Sequence, residues 1–442
     1  MIMDAERQQF LAVADALGAR LCRDAVWDGR RCNWLGDSME FVDGSWQVAH
    51  RSFGPDLYGG TSGIALFLAR LFAATGERLF RKTAVGALEQ SLSRWSVLAA
   101  PFRSGFYSGL TGAAYALVQC APLLGEERFR AAAVAAFREI LADEIRPEAL
   151  DVVAGSAGAI PVFLGLQSLL GSGDLSALAR RHGENLLATA RRHGDALSWT
   201  TLPGADPAQP DLTGFSHGTA GIAWSLLELK AATGDARFGE AAESAFRYER
   251  RAFDPRQGNW PDFRGAQQGP GGAPAWGCSL AWCHGAPGVA LSRARAFRLT
   301  GSAEARNEAT VAIATTERGV RQGMINPGAD FSLCHGLAGN AECASVSARI
   351  LGPGASIGTM TGADLDLARF GAERYHADRA PWPCGVPGGG ENPSLMLGLA
   401  GIGHFYLRLA LPERIPSILM VTPEEADPQV LTVPTPAPTL AA

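Results

Sequence analysis

One short unit, Gly-x-x-Gly, recurs seven times: Gly60 to Gly63, Gly109 to Gly112, Gly155 to Gly158, Gly218 to Gly221, Gly285 to Gly288, Gly336 to Gly339 and Gly398 to Gly401. In each copy a small-residue turn opens an apolar run, as in Gly59-Gly60-Thr61-Ser62-Gly63-Ile64-Ala65-Leu66-Phe67-Leu68-Ala69. That is how a closely packed helix starts. Copies begin between 46 residues (Gly109 to Gly155) and 67 residues (Gly218 to Gly285) apart, room for a helix pair and its connections. Units of that size cannot bury their apolar face alone and must stack on neighbours. This overrides the two or three domains that 442 residues would otherwise lead one to expect. The expectation is one all-α array, residues 1–420, closed into a ring, with a flexible tail at 421–442.

Helical periodicity supports this reading. An amphipathic helix is expected from Arg7 to Ala25, with Phe10, Leu11, Ala14 and Leu17 on one face. A polar, Gly-rich connection runs from Cys32 to Asp56. Helical runs follow at Ile64 to Thr75, Leu79 to Leu98, Gly112 to Cys120, Glu126 to Ile145, Ile160 to Leu170, Leu175 to Arg192, Ile222 to Thr233, Ala236 to Phe253, Val289 to Thr300 and Ala303 to Gly319, with a last pair around Asp364 to His376 and Gly401 to Ala410. No stretch of similar length alternates like a strand. Runs after Gly-x-x-Gly carry few charges, whereas those between them carry Arg and Glu, so an inner buried ring and an outer half-wet ring are predicted. The second glycine of each unit is expected where a side chain would press on a neighbour, and the first where the backbone is special. Leu202 to Phe215 and Asp254 to Cys278 are long and irregular, the latter broken by Pro255, Pro261, Pro270 and Pro274; they read as rims of a site. Ile415-Pro416-Ser417-Ile418-Leu419-Met420 is apolar enough to dock on the body, and Thr432 to Ala442 is expected to be disordered.

Charge and targeting signals narrow the function. A net charge of −5, from Asp+Glu 44 against Lys+Arg 39, provides no basic face for nucleic acid. No apolar stretch is long enough to insert into a membrane, and the first residues lack a secretory signal's order, so a cytoplasmic location is expected. Eight cysteines in so long a chain are no disulfide framework, and their positions decide their meaning.

Three of the seven turns carry a metal- or proton-handling residue just before the first glycine: His217, Cys283-His284 and Cys334-His335. Zinc takes thiolate sulfur and imidazole nitrogen, and a set of Cys283, Cys334 and His335 would leave one coordination position open, as in catalytic sites. The bland reading is buried cysteines beside helix-capping histidines. Cys384 could be a fourth ligand but reads as structural. Cys22, Cys32, Cys120, Cys278 and Cys343 belong to no constellation, and Asp330 and Glu391 lie near turns without an assigned role.

Trp282-Cys283-His284-Gly285-Ala286-Pro287-Gly288, Cys334-His335-Gly336-Leu337-Ala338-Gly339 and Ser216-His217-Gly218-Thr219-Ala220-Gly221 resemble the lanthionine synthetase cyclases. The resemblance runs from Asp56-Leu57-Tyr58-Gly59-Gly60 to Leu395-Met396-Leu397-Gly398-Leu399-Ala400-Gly401-Ile402-Gly403, and it looks closest to the cyclase half of fused type II synthetases, here without a preceding dehydratase half. It implies an α/α toroid of seven inner and seven outer helices with Zn(2+) at one end of the cavity. Cys283, Cys334 and His335 match the zinc ligands, His217 the proton-handling histidine, Asp151 a carboxylate facing the site and Trp282 the aromatic beside the first ligand. Ser279 stands where the type I group has a basic residue, which leaves the stabilisation of an enolate to another group, with His284 as candidate.

The implied reaction adds a peptide cysteine thiol to dehydroalanine or dehydrobutyrine in a dehydrated precursor peptide, closing a thioether ring, with a separate dehydratase as a further partner. Two alternatives remain: addition of glutathione to dehydrated residues in proteins, and a zinc-stabilised scaffold that binds peptide without catalysis. His217 is the best acid in the sequence, with a reference pKa of roughly 6.5, and Asp151 could orient it.

Overall fold

The computed structural model describes residues 4–42, 45–98, 103–171, 173–202, 204, 209–268, 274–326, 328–352 and 362–427. A long helix, α1 (Asp4–Asp24), precedes the first glycine turn. From there helices alternate between two concentric rings. The inner ring is α2 (Thr61–Thr75), α4 (Leu110–Leu124), α6 (Ser156–Gly165), α8 (Thr219–Thr233), α10 (Ala286–Thr300), α12 (Leu337–Leu351) and α14 (Leu399–Ala410). The outer ring is α1 with α3 (Arg78–Ser93), α5 (Glu127–Ala142), α7 (Asp174–Thr189), α9 (Ala236–Ala252), α11 (Ala303–Met324) and α13 (Ala363–Gly371). Each inner helix packs on the outer helix that follows it, except α14, whose outer partner is α1. Helix α14 also packs on α2, so the last repeat meets the first and the ring closes. No described helix is long and apolar enough to cross a membrane.

The glycine turns build the inner ring. In all seven the first glycine is the N-cap residue, with no side-chain cap. In six turns the orphan N–H of the first helical residue donates to a carbonyl seven residues earlier, as Thr61 does to Gly54 and Leu337 to Asp330, both at 2.8 Å. The second glycine is required by space. A Cβ on Gly112 would lie 1.6 Å from the Phe106 carbonyl oxygen, and one on Gly63 would lie 2.1 Å from that of Leu57. The expected special dihedral at the first glycine occurs once: Gly285 has φ +84°, whereas the other six are extended. The fifth turn departs in its cap as well, since Ala286 N–H donates to the Asn259 side chain at 2.7 Å.

A belt of backbone hydrogen bonds ties the turns together. Tyr58 N–H donates to Tyr107 O, Tyr107 to Val153 O, Val152 to Ser216 O, Ser216 to Cys283 O, Cys334 to Met396 O, and Met396 to Tyr58 O, all between 2.8 and 3.2 Å. These join six of the seven junctions. Among the described residues no backbone bond joins the fifth turn to the sixth, and Cys283 and Cys334 lie on either side of that gap.

Three features differ from the sequence reading. The connection after Ala25, running through Cys32 to Asp56, holds strands: β1 (Val26–Asp28) pairs with β2 (Arg31–Asn33), and β3 (Leu35–Val42) with β4 (Ser45–Ser52), all antiparallel. Strands β5 (Arg191–His193) and β6 (Ala196–Ser198) follow α7, and β7 (Pro261–Gln268) pairs with β8 (Pro274–Cys278) inside the segment read as irregular. Helix α12 was not read as a run, because Asn340, Glu342 and Ser347 interrupt its apolar pattern; all three are buried, and Glu342 pairs with Arg408 and accepts from Ser417 Oγ.

The third concerns the end of the chain. Residues 415–427 dock on the body by entering the centre of the ring, rising to the turn end and returning. Tyr107 hydroxyl donates to Ile418 O at 2.6 Å, Trp282 Nε1 to Leu419 O at 2.7 Å, and Gln119 Nε2 to Ala426 O at 2.8 Å. Ile418 and Leu419 are fully buried. A short helix, α15 (Pro423–Ala426), has a complete capping box between Thr422 and Glu425. Residues 421–427, assigned above to a flexible tail, therefore belong to the core. Residues 428–442 lie outside the described residues.

Candidate active site

The sequence-predicted site residues come from four turns and meet at one mouth of the ring. Asp151 stands in the third turn, His217 in the fourth, Trp282, Cys283 and His284 in the fifth, and Cys334 and His335 in the sixth. Asp151 and Cys283 are buried, while the His217 side chain is 31% exposed to the mouth.

His217 Nδ1 lies 2.6 Å from Asp151 Oδ2. An ionised carboxylate only accepts, so Nδ1 carries the proton and Nε2 is the atom left to exchange protons with a ligand. Burial acts to lower the imidazole's pKa, but the Asp151 charge and hydrogen bond outweigh it and raise it above its ordinary value. Asp151 is itself fixed by the Ala154 N–H at 2.7 Å.

Cys283 and Cys334 are coupled electrostatically across the gap in the belt. Cys283 is pushed down, first by Cys334 and then, against the effect of burial, by His335 and Arg264. Cys334 is pushed up by Cys283 and by burial. The two thiols thus favour one shared negative charge, centred on Cys283. The Tyr58 hydroxyl, pushed up first by burial and then by Cys334, belongs to the same cluster, a neighbour that sequence reasoning missed. His335 Nε2 is 2.8 Å from Gly385 O. A carbonyl can only accept, so Nε2 holds the ring proton and Nδ1 is the lone-pair atom, the tautomer a metal ligand needs. Two thiols and an imidazole with a free lone pair fit zinc by donor chemistry. Among the described residues, however, no three His, Cys, Asp or Glu side chains converge closely enough to hold a metal.

His284 is buried and stacks on His217, ring centroids 5.9 Å apart. Its Nδ1 is 3.9 Å from Asp262 Oδ1, too long for a hydrogen bond. Burial, then the charge of Arg264, push its pKa down to about 3. As the candidate expected from the sequence to stabilise an enolate, an uncharged His284 would act by donating a hydrogen bond. Trp282 is fully buried and braces the floor through its bond to the central segment. Glu391 is absorbed by Arg20 of α1, Nη1 to Oε1 at 2.6 Å, and the Cys384 thiol, pushed up to about 12 by burial, contacts the Asn392 backbone. Asp330 Oδ2 is 3.8 Å from His335 Nε2. Sequence reasoning also missed Asp262 and Arg264, on β7 beside this cluster; their only signal was a charged pair inside a segment read as irregular.

The architecture is that of an α/α toroid with its chemistry gathered at one mouth. The chain belongs to the lanthionine synthetase C-like family, whose match runs over residues 51–420. Among solved structures it is similar to nisin cyclase, at 18% identity and a TM-score of 0.58 over 82% of this chain and 90% of that one. Weaker likenesses are to an α-1,6-mannanase from Salegentibacter (12% identity, 91% and 98% covered, TM-score 0.44) and to an unsaturated glucuronyl hydrolase from Bacillus sp. GL1 (16%, 72% and 85%, TM-score 0.41). At those scores they carry no argument. No curated protein matches the chain.

Proposed function

We propose that this chain is a zinc-dependent lanthionine cyclase that adds cysteine thiols of a dehydrated peptide to dehydroalanine or dehydrobutyrine. The observation carrying this reading is the carboxylate-held histidine at the mouth of a family-typical ring, next to the turn that bears Cys283. Cys283, Cys334 and His335 would hold the metal. Bound zinc would keep an incoming thiol, of reference pKa about 8.5, as thiolate near neutral pH.

The chain's own residues account for the remainder. The sulfur adds to the β-carbon, the double-bond pair shifts toward the carbonyl oxygen, and the α-carbon then takes a proton. His217 is placed to give that proton from Nε2 while Asp151 stabilises the imidazolium. The central segment closes the ring behind Trp282, so peptide reaches the site from the turn end, where orientation of the reacting atoms supplies much of the rate.

Incubation with a dehydrated precursor tests the reading. Free thiol should disappear with no change in mass, glutathione should not be needed, and one zinc per chain should be lost in Cys283→Ala together with the rate above background. A product heavier by glutathione would favour the intermolecular reaction, and tight peptide binding without loss of thiol would favour a scaffold.

A further inference from the structure

The proposed addition builds negative charge on a carbonyl oxygen, and a site that performs it benefits from a fixed cation facing that oxygen. Of the two site histidines outside the proposed metal ligands, His217 is committed to Asp151, and His284 is buried and stacked on His217. Arg264 lies among these groups. Its charge is felt by Cys283, Cys334, His217 and His284. It enters from β7, on the hairpin beside the fifth turn.

Its guanidinium is clamped by Asp262, Nη2 to Oδ2 at 2.7 Å and Nε to Oδ1 at 3.0 Å. That leaves Nη1 without a hydrogen bond among the described residues, on a side chain 45% exposed. Ser279 Oγ donates to the same Asp262 oxygen at 3.2 Å. Ser279 thus touches the carboxylate that positions Arg264. From Arg264 through Asp262, His284 and His217 to Asp151, neighbouring groups form a continuous line across the mouth.

We propose that Arg264, held by Asp262, which Ser279 bonds in turn, is the cation that binds the substrate carbonyl oxygen as the carbon–sulfur bond forms, supplied from the β7–β8 hairpin. This rests on the cyclase reading. As sulfur bonds to the β-carbon, the π pair moves to the oxygen under the Nη1 edge; it returns when the α-carbon accepts the proton from His217, and no other reactant is consumed.

The test compares wild type, Arg264→Gln, and Arg264→Gln with Ser279→Arg, all zinc-loaded, on one dehydrated peptide. Arg264→Gln should lower kcat roughly 10²-fold with KM changed less than about threefold, since the charge is used when the oxygen becomes negative. Ser279→Arg in that background should recover at least about tenfold of the loss. Chelator-treated protein gives a readout independent of turnover: a short peptide with a phosphonate in place of the reacting carbonyl should bind wild type about tenfold more tightly than Arg264→Gln, and the double variant should again recover. Equal kcat or equal phosphonate binding in wild type and Arg264→Gln would overturn the proposal, as would a loss seen only in KM without rescue by the second arginine. A wild-type protein that cyclises no dehydrated peptide would instead overturn the cyclase reading, while the phosphonate comparison would still report on Arg264.

Discussion

The Asp151–His217 pair sets the working pH of the site. The donor is the imidazolium, so proton transfer is lost as pH rises through its pKa, which Asp151 holds above the ordinary value. In Asp151→Asn the raising influence disappears and burial remains, so the pKa falls. The alkaline limb of kcat should therefore move to lower pH, with zinc content unchanged. His217→Asn should slow ring closure by about 10²-fold or more and abolish that limb. A limb that stayed in place in Asp151→Asn would assign the proton to another group. The same scale shows what the sequence made legible. His217, Cys283, Cys334 and His335 were found because each stands beside a repeated glycine, where period alone marks the position. Tyr58, Asp262 and Arg264 were not, because their roles depend on how a hairpin and the first turn reach across to other turns. The lowered pKa of His284 was not legible, because its burial is invisible in the sequence.

At the scale of elements, the seven turns were legible as helix starts because one steric demand recurs in all of them. The second glycine abuts a carbonyl six residues earlier, a contact that no side chain tolerates. Gly112→Ala should lower stability by about 2 to 3 kcal/mol or more, as overpacking against backbone does, read from the urea midpoint. Gly265→Ala, where nothing lies within 4 Å of the new carbon, should stay within about 0.5 kcal/mol. The hairpins were missed because Gly and Pro in their sequences read as breaks. The course of residues 415–427 was missed for a related reason. Their partners, Arg70, Glu342 and Arg408, are charged side chains on helices expected to be apolar inside, and they bond Pro416 O, Ser417 Oγ and Ile415 O at 3.3, 2.5 and 3.2 Å. A polar lining makes sense only once a strand of backbone is known to run through the ring.

Across the whole molecule, buried histidines link stability to pH. His182, on α7, contacts Ser156 Oγ at 2.9 Å and is pushed down to about 3, chiefly by burial. His404 Nε2 accepts from Arg70 at 2.6 Å and is likewise held well below its usual range, mainly by burial. Below about pH 6.5 the unfolded chain takes up protons that the fold refuses, so each residue's contribution is whole above that pH and declines as pH falls toward the folded value, by about 1.4 kcal/mol per pH unit. Between pH 7.5 and 5.5 wild type should thus lose about 1.4 kcal/mol more than His182→Gln in urea titrations; parallel losses would mean that His182 charges freely in the fold. The pairing of α1 with α14 has a consequence for how the protein is made. On a ribosome adding roughly 5 to 20 residues per second, α1 emerges first, yet the helix it must cover is encoded some 375 residues later (Asp24 to Leu399). For roughly 20 to 75 seconds its apolar face, with Phe10, Val13, Leu17 and Leu21, lacks its main native partner and has only α2 and α3 beside it. During that interval the nascent chain is an open arc with a sticky end, the form a holding chaperone would meet and the form from which two growing copies could exchange their first helices.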